Sequence, residues 1–135
     1  MSLEHLSYIC LKIPWRFKMF AGKEVRVLLK GQALENFLEL KKRTDKEAQI
    51  LLRSIQHARD ILQNNPQYGD PIAKDLIPDE YKKKYGTTNL FRVELPAFWR
   101  MLYTLTNNEE IEIIAFVLDI IDNPTYDKKF GYRKN

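Results

Sequence analysis

The chain has 135 residues, 44% of them hydrophobic and 12% aromatic, enough to build one domain around a single compact core. Lys plus Arg outnumber Asp plus Glu by 22 to 18, and the net charge of +4 leans toward anionic partners such as RNA or an acidic protein segment. The single cysteine, Cys10, excludes an internal disulfide framework, and two histidines, His5 and His57, cannot supply a zinc cluster, so no metal is expected and the cytoplasm is the expected compartment.

Residues 1–19 include the apolar run LSYICLKIPWRFKMF, but Lys12, Pro14, Arg16 and Lys18 interrupt it well short of a signal-peptide core or a membrane span. No membrane segment is expected, and the stretch reads as an N-terminal extension, either a short added strand or an irregular tail, before a domain at 20–135. KEVRVLLK alternates Val25, Val27 and Leu29 on one face, the pattern of a strand. GQALENFLELKKR then carries Leu34, Phe37 and Leu38 at helical spacing, and TDKE offers Thr44 as a cap with Glu47 three residues on. The helix so started puts Ala48, Leu51, Leu52, Ile55, Ala58 and Leu62 on one side and stops at NNPQYGDP, giving an antiparallel helical hairpin.

Residues 66–89 hold three of the six prolines and two of the five glycines and read as a long connection. Three strands follow, at 90–95, 99–105 and 110–119, with a turn at NNEE (107–110); IEIIAFVLDII is apolar on both faces, as in an interior strand covered on each side. The predicted fold is α+β, in the order strand, helix, helix, strand, strand, strand. A mainly antiparallel sheet would carry the helical hairpin on one face, and the 23–30 strand would lie beside the last strand.

Alternation divides the 90–95 strand into Phe91, Val93 and Leu95 on one face and Leu90, Arg92 and Glu94 on the other. If PAF is the hairpin loop, Glu94 lies opposite Arg100 and Arg92 opposite Leu102, so both arginines leave the face away from the helical hairpin. Two readings stand side by side. One is a cross-strand Glu94–Arg100 pair on a solvated surface, contributing about 0.2–1 kcal/mol. The other is a concave anion site lined by guanidinium forks that match a phosphate. Lys82, Lys83 and Lys84, between Tyr81 and Tyr85, are either a solvated charge run or part of a single-stranded nucleic-acid groove in which cations meet phosphates and rings meet bases. The chain has no Gly-rich phosphate loop, no Ser/His/Asp set and no closely spaced carboxylate pair in a pocket-like context, which excludes P-loop and serine hydrolases. Arg, Lys and Tyr side chains remain for chemistry, with no cofactor expected.

Three stretches, IPDEYKKKYGTTNLFRVELPAFWRMLYTL, IEIIAFVLDII and DNPTYDKKFGY, together resemble the RelE/ParE toxin superfamily, in particular its archaeal-type RelE-like branch. The resemblance covers residues 23–132, and its most specific pieces are NL-x-R-x-x-L running into WR-x-L-Y and the later Y-D-K-x-F-G-Y. It implies the toxin of a type II toxin-antitoxin system: a small basic protein that enters the ribosomal A site and cleaves mRNA without a metal. A cognate antitoxin would hold it inactive in a hetero-oligomer. It also implies a site in which Arg100 stabilises charge at the scissile phosphate, Arg92 assists from the preceding strand and Tyr126 completes the set; the residues themselves offer Lys82, Lys83 and Lys84 as RNA contacts. The same fold admits an alternative, a non-nucleolytic binding protein, either a topoisomerase-inhibiting toxin or a member that retains only antitoxin binding. Convergence of Arg92, Arg100 and Lys84 on one concave face would favour the nuclease. An Arg100 locked onto Glu94 beneath the C-terminal tail would favour the binder.

Overall fold

The computed structural model describes residues 8–10, 18–20, 23–108 and 112–131. Its elements in chain order are β1 (Tyr8–Cys10), β2 (Lys18–Phe20), β3 (Lys23–Lys30), α1 (Gln32–Lys42), α2 (Lys46–Asn64), β4 (Asp70–Pro71), α3 (Asp79–Tyr85), β5 (Phe91–Glu94), β6 (Arg100–Asn108), β7 (Glu112–Ile121) and α4 (Asn123–Phe130). Among the described residues the strands form one sheet in the order β1-β3-β7-β6-β5-β4, with β2 also paired to β3. The protein is thus α+β, but the sheet is mixed rather than mainly antiparallel. Strands β5, β6 and β7 alternate in direction, so β7 arrives beside β3 running the same way and pairs with it in parallel from Glu24–Glu112 to Leu29–Val117. Within the N-terminal extension, β1 and β2 both lie antiparallel to β3; residues 1–7 and 11–17 fall outside the described set.

One sheet face is covered by the helical hairpin. Ala33, Phe37 and Leu40 of α1 and Ala48, Leu51, Ile55, Ala58 and Leu62 of α2 meet Val27, Leu29, Val93, Leu95, Met101, Tyr103, Ala115, Val117 and Ile120. The buried stripe of α1 follows positions i, i+4 and i+7 from Ala33, which leaves Leu38, expected on the apolar side, 40% exposed. The cap of α2 is Asp45, not Thr44: its carboxylate accepts from the Ala48 N–H at 3.2 Å. The Arg43 guanidinium donates to both oxygens of the same group, at 2.8 and 2.7 Å, and holds that carboxyl down at about 2.

The opposite face is not the solvated surface that alternation allowed. Ile77, Tyr81, Leu90, Leu102, Leu118, Ile121 and Tyr126 form a second buried cluster there, roofed by α3 and α4. Helix α3 lies inside the stretch read as a plain connection. Its ends follow the helix dipole, with Asp79 and Glu80 in the first turn and Lys82, Lys83 and Lys84 in the last, and Gly86 closes it in the left-handed conformation at φ 63°. Its single buried side chain, Tyr81, supplies the apolar contact that a seven-residue helix needs to persist. Helix α4 is capped by Asp122, whose side chain accepts from the Thr125 N–H at 3.0 Å, and is closed by Gly131 at φ 72°.

The predicted register of the β5–β6 hairpin is the one observed, with Arg92 opposite Leu102 and Glu94 opposite Arg100. Strand β6 extends past the predicted limit through Asn107 and Asn108, both expected in the turn, while residues 109 and 110 of that turn lie outside the described residues. A bulge interrupts the β6–β7 ladder: Leu102 pairs with Asp119 but Tyr103 pairs with Val117, so Leu118 is the extra residue. Because of that extra residue, both Leu118 and Asp119 address the second core.

Candidate anion-binding site

Two cations from adjacent strands converge on one tyrosine. Tyr126, 1% exposed, sits in the first turn of α4 with its ring stacked on Phe130 at 4.3 Å between centroids, an i,i+4 pair on the same helix face. Its hydroxyl accepts a hydrogen bond from Arg92 Nη1 at 3.0 Å, and Arg92 Nη2 lies 3.5 Å from Asp70 Oδ2 on the paired strand β4. The bond to Tyr126, followed by the charge of Asp70, keeps the Arg92 guanidinium firmly cationic against partial burial. Arg100 lies over the ring of Tyr126 at 4.6 Å and Arg92 at 5.8 Å. Arg100 Nη1 donates both to Asn123 Oδ1, at 2.8 Å, and to the Phe98 carbonyl, at 3.1 Å. The Nε atoms of both arginines are buried without a hydrogen-bond partner.

The cross-strand pair is not formed. Glu94 is exposed, and among the described residues no ion pair joins it to Arg100, although the two are opposite in register. Arg100 turns toward α4 instead, where Asn123 supplies an acceptor and Tyr126 an aromatic face. Both guanidiniums have unfilled donors in a partly desolvated setting, and the Arg92 side chain remains 27% exposed. The Nε donors themselves are enclosed, so an oxyanion would be met by the exposed part of the guanidiniums.

Lys82, Lys83 and Lys84 are exposed along the last turn of α3. Lys84 Nζ lies 5.4 Å from the ring of Tyr85, whose hydroxyl edge is pressed against Gly31 and whose face also receives Lys30 at 6.0 Å. Tyr81, which the sequence offers as a possible base-stacking ring, is 2% exposed and belongs to the core. The arginine pair and the lysine run therefore sit on different elements, and no hydrogen bond, ion pair or ring contact joins them.

Beside the arginines lies a polar cluster that sequence reading missed. Asp119 is 2% exposed; its Oδ2 accepts from the Tyr81 hydroxyl at 2.8 Å and lies 3.8 Å from Lys129 Nζ, which in turn is 2.8 Å from Glu80 Oε2. Asp119 Oδ1 has no partner. Burial raises the Asp119 carboxyl above its ordinary range, with the Tyr81 bond and the Lys129 charge partly offsetting it. Burial, then the Asp119 charge, pushes the Tyr81 phenol up; for Lys129, burial acts downward and is outweighed by Glu80 and Asp119. The available signal was one carboxylate inside FVLDII, but strict alternation does not aim it at Tyr81 without the bulge.

A pH prediction follows from the direction of that shift. A carboxyl raised in the folded state contributes stability below its unfolded pKa of about 3.9 and loses it as pH rises through the folded value. Asp119→Asn is expected to flatten this decline, so that the melting temperature falls less than in the parent protein as pH is raised from the unfolded pKa of about 3.9. An unchanged slope would show that Asp119 is not the titrating group. The Asp45 contribution is separable, because a carboxyl held at about 2 loses its stabilisation only as pH falls through that value.

Among the described residues, no group of three His, Cys, Asp or Glu side chains is arranged to hold a metal ion, and no helix is long and apolar enough to cross a membrane. The chain matches no protein-family model, no curated protein and no solved structure.

Proposed function

We propose that the chain is a RelE-like toxin of the RelE/ParE superfamily, acting as a metal-independent, ribosome-associated mRNA endoribonuclease under the control of a cognate antitoxin. The observation that carries this reading is the pair Arg92 and Arg100, two guanidiniums from adjacent strands that converge on one tyrosine, with the Arg92 side chain partly exposed. In the proposed step the 2′-oxygen of a nucleotide attacks its own 3′-phosphorus and the bond to the 5′-oxygen of the next nucleotide breaks, leaving a 2′,3′-cyclic phosphate and a 5′-hydroxyl. Arg100 would hold the charge that develops on the phosphoryl oxygens, and Arg92 would anchor the ground-state phosphate. Glu94, exposed and opposite Arg100 in register, is our candidate to take the 2′-hydroxyl proton, while the departing oxygen takes one from water. Tyr126 acts through Arg92: with its hydroxyl engaged and its ring buried, it is a pedestal for the cations.

One observation favours a second reading. The burial of Tyr126, and the engagement of Arg100 Nη1 by both Asn123 and Phe98, fit a non-nucleolytic RelE/ParE-fold protein whose basic face only binds an acidic antitoxin segment. Inducing the protein in growing cells and mapping mRNA ends decides between them. Growth arrest with new 2′,3′-cyclic phosphate ends in translated messages is the expected result. Arrest without cleavage transfers the case to a binding toxin, and growth without arrest removes toxicity from both.

A further inference from the structure

The connection between β5 and β6 holds an exposed ring on a strained backbone. Ala97 and Phe98 have φ of 58° and 63° and are the non-glycine residues with positive φ among the described residues. Glycine adopts this region without steric cost, whereas a side chain is disfavoured there. Phe98 is also 75% exposed, so its ring gains little from burial in return. The tip is nonetheless fixed. Leu95 N–H donates to the Trp99 carbonyl at 2.8 Å, Trp99 N–H to the Pro96 carbonyl at 3.3 Å, and Arg100 Nη1 to the Phe98 carbonyl at 3.1 Å. Trp99 packs against the first core and pins the far side of the turn. A fixed, strained turn that presents an aromatic ring to solvent is the kind of feature that concentrates at binding sites.

We propose that Phe98 is the base-stacking platform of the RNA site: its ring takes the nucleobase of a nucleotide whose phosphate meets Arg100. This deepens the proposed function and rests on it. The hydrogen bond from Arg100 to the Phe98 carbonyl ties the ring's backbone to the guanidinium of the anion site. A single-stranded nucleotide offers both a phosphate and a flat π-face, and the combination of a cation with an exposed ring matches both. Of the rings the sequence offers for stacking, Tyr81 is buried in the second core and Tyr85 is half-buried; among the exposed rings Tyr68 lines a cleft with Arg92 and Glu94, while Phe98 belongs to the residue whose carbonyl Arg100 holds.

The test uses a single-stranded RNA oligonucleotide with 2-aminopurine in place of one base, titrated with the full chain and with Phe98→Trp, Phe98→Leu, Phe98→Ala and Phe98→Gly. The parent and Phe98→Trp are expected to quench the 2-aminopurine by stacking. Phe98→Leu and Phe98→Ala should lose that quench and bind about 5- to 150-fold more weakly, the range reported for loss of one base–aromatic stack. Phe98→Gly should raise the melting temperature by relieving the left-handed strain while it lowers RNA affinity, a divergence that a purely structural role would not produce. Equal affinity and quench in Phe98→Ala would overturn the platform while leaving the RNA reading standing. Failure of the parent to bind the RNA would overturn both. Unchanged RNA binding with loss of binding to a co-expressed acidic partner would move the ring to a protein interface and overturn the proposal.

Discussion

Arg100→Ala is expected, if the chain is the proposed nuclease, to cut RNA cleavage by about 10² to 10³, the usual effect of removing one preorganised electrostatic stabiliser from a charged transition state. The fold should survive. What the residue gives to stability is its stack over Tyr126, for which cation–π pairs contribute about 0.5–2 kcal/mol, and its hydrogen bonds to Asn123 and the Phe98 carbonyl. A larger penalty would require Glu94 to be a buried counter-ion stranded by the substitution, at about 3–5 kcal/mol. Glu94 is exposed and makes no ion pair with Arg100, so that penalty has no source. Melting curves and single-turnover cleavage on the same protein therefore should separate, with a shift of a few degrees and a loss of two to three decades in rate. Arg100→Lys should keep the charge but not the planar fork, and recover only part of the rate. Cleavage within about twofold of the parent in Arg100→Ala would remove Arg100 from the chemistry, since the effect expected of such a group is tens of times larger.

The hairpin register was legible because it depends on local spacing: once PAF is the turn, Glu94 must face Arg100 and Arg92 must face Leu102, as they do. The hairpin of α1 and α2 was legible for the same reason, since an apolar stripe from Ala48 to Leu62 repeats every three or four residues. What escaped depends on contacts distant in sequence. Helix α3 has one buried residue in seven, so no periodicity announces it, and its prolines and glycines flank it as a loop's would. The covering of the second face depends on α3 and α4 meeting over β7. There Tyr81 reaches Asp119 across 38 positions of chain, and Phe130 comes within 6.3 Å of the Tyr81 ring. The bulge at Leu118 shifts the facing of Asp119 by one residue, and one such shift defeats any reading based on strict alternation. At the candidate site, both arginines could be placed on one face from sequence, whereas the burial of Tyr126 and the strain at Ala97 and Phe98 could not.

Tyr126 yields the second large effect, and two substitutions at it separate packing from chemistry. Tyr126→Ala is expected to cost about 3–5 kcal/mol, as for other large aromatic truncations in a core, because it removes the ring that closes the second cluster and stacks on Phe130. Set against a total stability of about 5–15 kcal/mol for a domain of this kind, that loss should lower the melting temperature by about ten degrees or more. Tyr126→Phe keeps the ring and removes only the acceptor of the Arg92 hydrogen bond. A lost bond to a charged group costs about 1.5–3 kcal/mol at most, and less here because Arg92 can turn toward Asp70 or water. On the proposed nuclease reading, Arg92 freed from its pedestal should hold the phosphate less well, so Tyr126→Phe is expected to show a raised KM and a kcat close to the parent's. The opposite split would assign the hydroxyl a direct part in proton transfer: kcat reduced a hundredfold or more by about the measure of a lost general acid, with KM and melting temperature unchanged. In that case α4 would have to move far enough to bring a ring that is 1% exposed into contact with RNA. Hydrogen exchange across residues 123–130 in the presence of the oligonucleotide would then have to accelerate, whereas a pedestal predicts that binding slows it.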